Sequence, residues 1–143
     1  MGRGRRIIGM ALVAVAILGA ARTTDVNGDE IAWRHDYNEA LQEAQKTKRP
    51  LLVKVSATWC SYCTKMQRET LSQETVVSEV EENFVPLALD ADRDRDLVQK
   101  FRVSSYPTTI VVAPDRTILR RMPGFQSQGQ FMSSLRGALQ KLR

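Results

Sequence analysis

The chain has 143 residues, 43% of them hydrophobic, enough for one packed core with little left for a second. A charged fraction of 26%, only five prolines and no low-complexity tract or internal repeat argue against a largely disordered chain. The formal net charge is +5, but Arg3, Arg5 and Arg6 supply three of the 21 basic residues and no acid precedes residue 22; without residues 1–21 the balance is +2, and with no Lys/Arg stripe interleaved with aromatics no nucleic-acid partner is expected.

Those three arginines precede an uncharged run from Ile7 to Ala21, with Gly19 and Ala21 at the small-residue positions of a cleavage site before Arg22. Residues 1–21 read as a secretory signal peptide. The run falls short of the roughly 20 apolar residues that span a bilayer comfortably, and an uncleaved anchor over residues 7–21 is the alternative. No cysteine stands near residue 21 to carry a lipid. Residues 22–29 form a linker and 30–143 one domain, expected to work outside the cytoplasm, in a periplasmic or similar compartment.

Within that domain, Glu30 to Trp33 reads as a short strand. Asp36 with Glu39 three residues on has the form of a capping box, and Tyr37, Ala40, Leu41 and Ala44 recur at helical spacing before Pro50. Leu51 to Val55 is a nearly continuous apolar run, as in a strand buried on both faces. The chain then reaches Trp59 and Cys60, and from Cys63 the residues Met66, Gln67 and Thr70 continue at helical spacing, so the cysteines open a helix. Val76, Val77 and Val80 mark another helix face, Phe84 to Leu89 a strand, Asp94 to Phe101 a short helix, and Thr108 to Ala113 a further strand. Pro114-Asp115 signals a turn into Thr117 to Met122, an antiparallel hairpin. A last helix carries Phe131, Leu135, Ala138, Leu139 and Leu142 on one face, with Ser127 and Gln130 as capping partners. This order predicts an α/β fold with a mixed central sheet flanked by helices.

Cys60 and Cys63 are the only cysteines, too few for a disulfide scaffold. Their spacing fits a redox pair, half of a metal site, or two incidental thiols. A closed zinc site takes four ligands, and the single histidine, His35, lies far upstream, so no metal site is assigned. At a helix start, free backbone N–H groups and the positive dipole end favour a thiolate, which makes Cys60 the candidate nucleophile.

The Trp59-Cys60-Ser61-Tyr62-Cys63 segment after a central strand, Tyr106-Pro107-Thr108 downstream and Gly124 after the hairpin together resemble the thioredoxin superfamily over residues 30–142. The pattern Cys60-x-x-Cys63-x-x-Met66, with Thr70-Leu71 and Val76 following, is similar to the exported thiol:disulfide interchange group. The resemblance implies an oxidoreductase that needs no cofactor beyond the Cys60/Cys63 dithiol itself. Cys60 would attack, Cys63 would resolve, and Trp59, Tyr106 and a cis Pro107 would contact substrate. Its partners would be disulfide-containing exported proteins and a membrane electron donor, with the chain itself a monomer. Reductase or electron relay is the leading activity; isomerase, oxidase and binding of a soft metal such as Cu(I) through both thiolates are the alternatives.

Two positions depart from the pattern. Lys54 stands six residues before Cys60, where many thioredoxins carry a buried acid that moves the second cysteine's proton, and Ala88 occupies the aligned position of that acid's usual lysine partner. A buried lysine needs compensation, and Asp90 is the expected partner of Lys54. Arg68 replaces the proline that bends the active-site helix in many relatives, predicting a weaker bend. The acidic run Asp90 to Asp96 is not a calcium loop, because Arg95 stands where the glycine is required and Phe101 where the closing glutamate is.

Overall fold

The computed structural model describes residues 30–142; the expected signal peptide and the linker over residues 22–29 lie outside the described residues. Helix α1 (Tyr37–Thr47) begins where the sequence places it, with Asp36 Oδ1 accepting the Glu39 N–H at 2.9 Å. It ends at Lys48, which takes a left-handed conformation with φ 58° and turns the chain into β1 (Leu51–Ser56). The strand expected over residues 30–33 does not form. Trp33 N–H bonds back to the Ile31 carbonyl and Ala32 N–H to Glu81, so the segment turns, and only Arg34 bridges to Leu87.

After β1 come α2 (Ser61–Met66), a π-helical turn at Gln67–Leu71, α3 (Glu74–Asn83), β2 (Val85–Asp90), α4 (Arg95–Lys100), β3 (Thr108–Val112), β4 (Ile118–Pro123) and α5 (Gln128–Leu142). The sheet runs β2-β1-β3-β4, with β1 and β2 parallel and the other pairs antiparallel. The apolar run of residues 51–55 is therefore central, as expected. Pro86, which has no N–H to give, lies in the edge strand β2, where that loss is tolerated.

Strand alternation divides the core into two layers. On one face, Leu51, Val53 and Val55 of β1 pack with Leu87 and Leu89 of β2 under α1 and α4. On the other, Leu52 and Val111 pack with Met66, Leu71, the valines of α3, and Phe131 and Leu135 of α5. Phe84, Phe131, Leu51 and Leu52 are fully buried, each worth roughly 1.5–3 kcal/mol of transfer free energy. The α5 N-terminus is capped by Gln130, whose Oε1 accepts from both N–H and Oγ of Ser127 at 3.0 Å.

Candidate active site

At the end of β1 the chain leaves the sheet and turns through Ala57, whose carbonyl accepts the Cys60 N–H at 3.2 Å. Cys60 is the N-cap of α2: its backbone is extended, its Sγ accepts the Cys63 N–H at 3.2 Å, and its carbonyl takes the Thr64 N–H. The two cysteines are joined as a disulfide with Cα atoms 5.3 Å apart. When that bond opens, the Cys63 N–H is already placed to serve a thiolate on Cys60. Cys63 is not the deeper of the two cysteines. Cys60 is 8% exposed and Cys63 half-buried, because Cys63 opens sideways onto a cleft between β1 and α2.

The remaining residues expected at the site converge on the pair. The Tyr106–Pro107 bond is cis, and Pro107 shares the cleft with Cys63. Gly124 holds this loop, donating its N–H to the Pro107 carbonyl at 2.7 Å from a conformation with φ 76° that favours glycine. Trp59 stands 68% exposed, its ring edge-on to Tyr106 at 5.9 Å and its Nε1 donating to Asp92 at 2.9 Å. Tyr62, 61% exposed, adds a second aromatic at this end of the molecule.

Lys54 lies between Ala88 and Thr109 in the sheet, its side chain facing the cleft. The expected Lys54–Asp90 pair is corrected: among the described residues no ion pair joins them. Asp90 instead accepts the N–H groups of Asp92 and Arg93, closing the turn after β2, and this use of its carboxylate leaves Lys54 other partners. The Lys54 ammonium donates to Gln67 Oε1 at 3.2 Å and lies 4.3 Å from the centre of the Trp33 ring. Burial lowers Lys54 from 10.5 to about 8, against the opposing pull of the Glu30 carboxylate.

Gln67 begins the π-helical turn, so the departure at Arg68 coincides with a widened helix rather than a merely straighter one. Thr70 Oγ1 anchors that turn by donating to the Gln126 carbonyl at 2.6 Å. Sequence reasoning missed Gln67 and Trp33 as partners of Lys54, and Asp92 as the support of Trp59. Gln67 falls four residues after Cys63 on the helix, so its facing toward the Cys63 side was the available signal. Among the described residues, no group of three His, Cys, Asp or Glu side chains is placed to hold a metal ion.

Comparison with known proteins gives a consistent set of likenesses. The family profile described as thioredoxin-like matches residues 32–114. The thioredoxin-related protein DsbJ of Chlamydia pneumoniae is 23% identical over 86% of this chain and 39% of its own length. The thiol:disulfide interchange protein DsbD of Ralstonia nicotianae is 31% identical over 73% of this chain, which spans only 18% of that protein. The chain thus covers well under half of either relative. Among solved structures, a thioredoxin from Thermus thermophilus superposes with a TM-score of 0.72 at 27% identity, covering 78% of this chain and 89% of its own. A DsbH oxidoreductase superposes with a TM-score of 0.71 at 21% identity, covering 95% and 96%.

Proposed function

The chain belongs to the thioredoxin-like family, and on that premise we propose that it is a thiol:disulfide oxidoreductase acting on exported proteins as a reductase or electron relay. The observation that carries this reading is the Cys60–Cys63 disulfide at a helix start, with the Cys63 N–H on Cys60 Sγ and a cis Pro107 alongside. Names of relatives as interchange and thioredoxin-related proteins support it.

In the reducing direction, the Cys60 thiolate attacks one sulfur of a substrate disulfide and expels the other as a thiolate. Cys63 then attacks Cys60 Sγ, restoring the intramolecular disulfide and releasing the second substrate sulfur. Two electrons pass from the dithiol to the substrate. Trp59, Tyr106 and Pro107 form the surface that receives the extended substrate segment. Electrons return through a membrane-bound donor, and the Arg3-Arg5-Arg6 leader with its apolar run supports action outside the cytoplasm.

The test is turnover of a disulfide-bonded protein such as insulin with a thiol donor, combined with a redox titration of the pair. Turnover is lost in Cys60→Ser. A potential near about −270 mV agrees with a reductant, while one near about −120 mV reverses the direction of flow to oxidation.

A further inference from the structure

Lys54 sits where two clefts meet. The inner one, about 550 Å3, is lined by Cys63, Gln67, Arg68 and Pro107 as well as Lys54; the outer one, about 230 Å3, by Lys54 with His35, Asp90 and Arg93. Before Cys63 can attack the mixed disulfide its thiol must lose a proton, because the thiolate is the nucleophile. Among the residues lining the inner cleft, Lys54 is the one amine, lowered by burial to about 8; Arg68 stays charged and is bonded to Glu69 at 2.8 Å.

Two further buried atoms belong to the same neighbourhood. Thr109 Oγ1, on the cross-strand neighbour of Lys54, and Nε1 of Trp33, whose ring lies against its ammonium, have no hydrogen-bond partner among the described residues. Lys54 and Ser56 line both clefts, so the Cys63 cleft and the outer pocket adjoin at the end of β1.

We propose that Lys54 is the proton acceptor for Cys63 in the resolving step, taking the thiol proton through the inner cleft and passing it to solvent by way of the outer one. This rests on the oxidoreductase reading above. Neutral Lys54 takes the proton from Cys63, and the thiolate attacks Cys60 Sγ. A Cys60–Cys63 bond forms as the bond from Cys60 to the substrate sulfur breaks. The substrate leaves with the electron pair, and the new ammonium loses its proton outward. The lowered Lys54 value of about 8 leaves roughly a tenth of the amine neutral at pH 7. The charged and titratable groups facing it are Glu30, which opposes that lowering, Arg68 and Cys63 in the inner cleft, and His35, Asp90 and Arg93 in the outer. Gln67 Oε1 holds the amine toward the α2 side by accepting its N–H.

The test is stopped-flow reaction of the reduced full chain with excess dithiobis-nitrobenzoate, which releases a coloured thiolate twice. The first release is attack by Cys60 and depends on reagent concentration; the second is resolution by Cys63 and does not. If the first release fails, the oxidoreductase reading fails, independently of Lys54. With the first release intact, Lys54→Met slows the second about a hundredfold at pH 7. The wild-type second phase levels off above about pH 8, whereas Lys54→Met shows no plateau set by that amine. Lys54→Arg keeps a charge that cannot titrate and stays slow. A full-rate second phase in Lys54→Arg overturns the proposal, since charge alone would then suffice, and so does an unchanged second phase in Lys54→Met.

Discussion

The two faces of the central sheet differ most along β1. Under α1 and α4, Leu51, Val53 and Val55 form an unbroken apolar row that meets Leu87 and Leu89. Under α2 and α5 the same strand begins with Leu52 and then presents Lys54, and from that residue onward packing gives way to the cleft of Cys63 and Pro107. One face is built for stability to the end of the strand. The other gives up packing at its last turn, where a buried amine and unpaired polar atoms replace aliphatic contacts and where the reactive pair is placed.

That contrast is sharpest in mutants one strand apart. On the closed face, Leu87→Ala removes a fully buried side chain and is expected to cost about 2–5 kcal/mol, read from the midpoint of denaturant unfolding. On the open face, Lys54→Met is expected to stabilise the oxidised protein at pH 7 by roughly 2 kcal/mol, after discounting the lost Gln67 and Trp33 contacts. The sign follows from linkage. The folded value of about 8 lies below the ordinary 10.5, so the unfolded chain binds more protons between those values, and wild-type stability rises with pH across that window. Lys54→Met lacks that rise, so the gap between the two proteins closes by about pH 10.5. A loss of stability in Lys54→Met at pH 7 would show that the open face is packed as tightly as the closed one.

Smaller effects mark the borders of each region. Asp36→Ala removes the α1 cap on the closed face and is expected to cost about 1 kcal/mol, measured as a drop in thermal midpoint, without changing the rate of disulfide exchange. Trp59→Ala, on the exposed rim of the open side, is expected to shift stability by no more than about 0.5 kcal/mol. It does slow turnover on a protein disulfide, which a steady-state assay beside the melting curve separates.

The closed face was legible in the sequence because its signals are local: the apolar run from Leu51, the Asp36 cap and the helical spacing of Ala40, Leu41 and Ala44 each depend on neighbours in the chain. The cysteines at a helix start were legible for the same reason, and the cis form of the Tyr106–Pro107 bond followed from the family resemblance. The surroundings of Lys54 were not. Its partners Gln67 and Trp33 come from separate elements, and the spacing of Gln67 four residues after Cys63 points it to the Cys63 side without naming Lys54 as its partner. Asp90 shared the expected strand face, but the turn after β2 claimed its carboxylate with two backbone N–H groups, a stronger local demand than a distant lysine. The strand expected at Glu30 to Trp33 failed likewise, since a turn and the Glu81 carboxylate took the backbone donors a ladder would have used.

The central claim is that Cys60 attacks and Cys63 resolves, and trapping the intermediate tests it most directly. Reduced Cys63→Ser is mixed with a disulfide-bonded protein substrate and the adduct is located by mass spectrometry after digestion. A persistent mixed disulfide on Cys60, with far less adduct on Cys63 in the matching Cys60→Ser variant, is the predicted result. Equal trapping on the two cysteines, or none on Cys60, would contradict it.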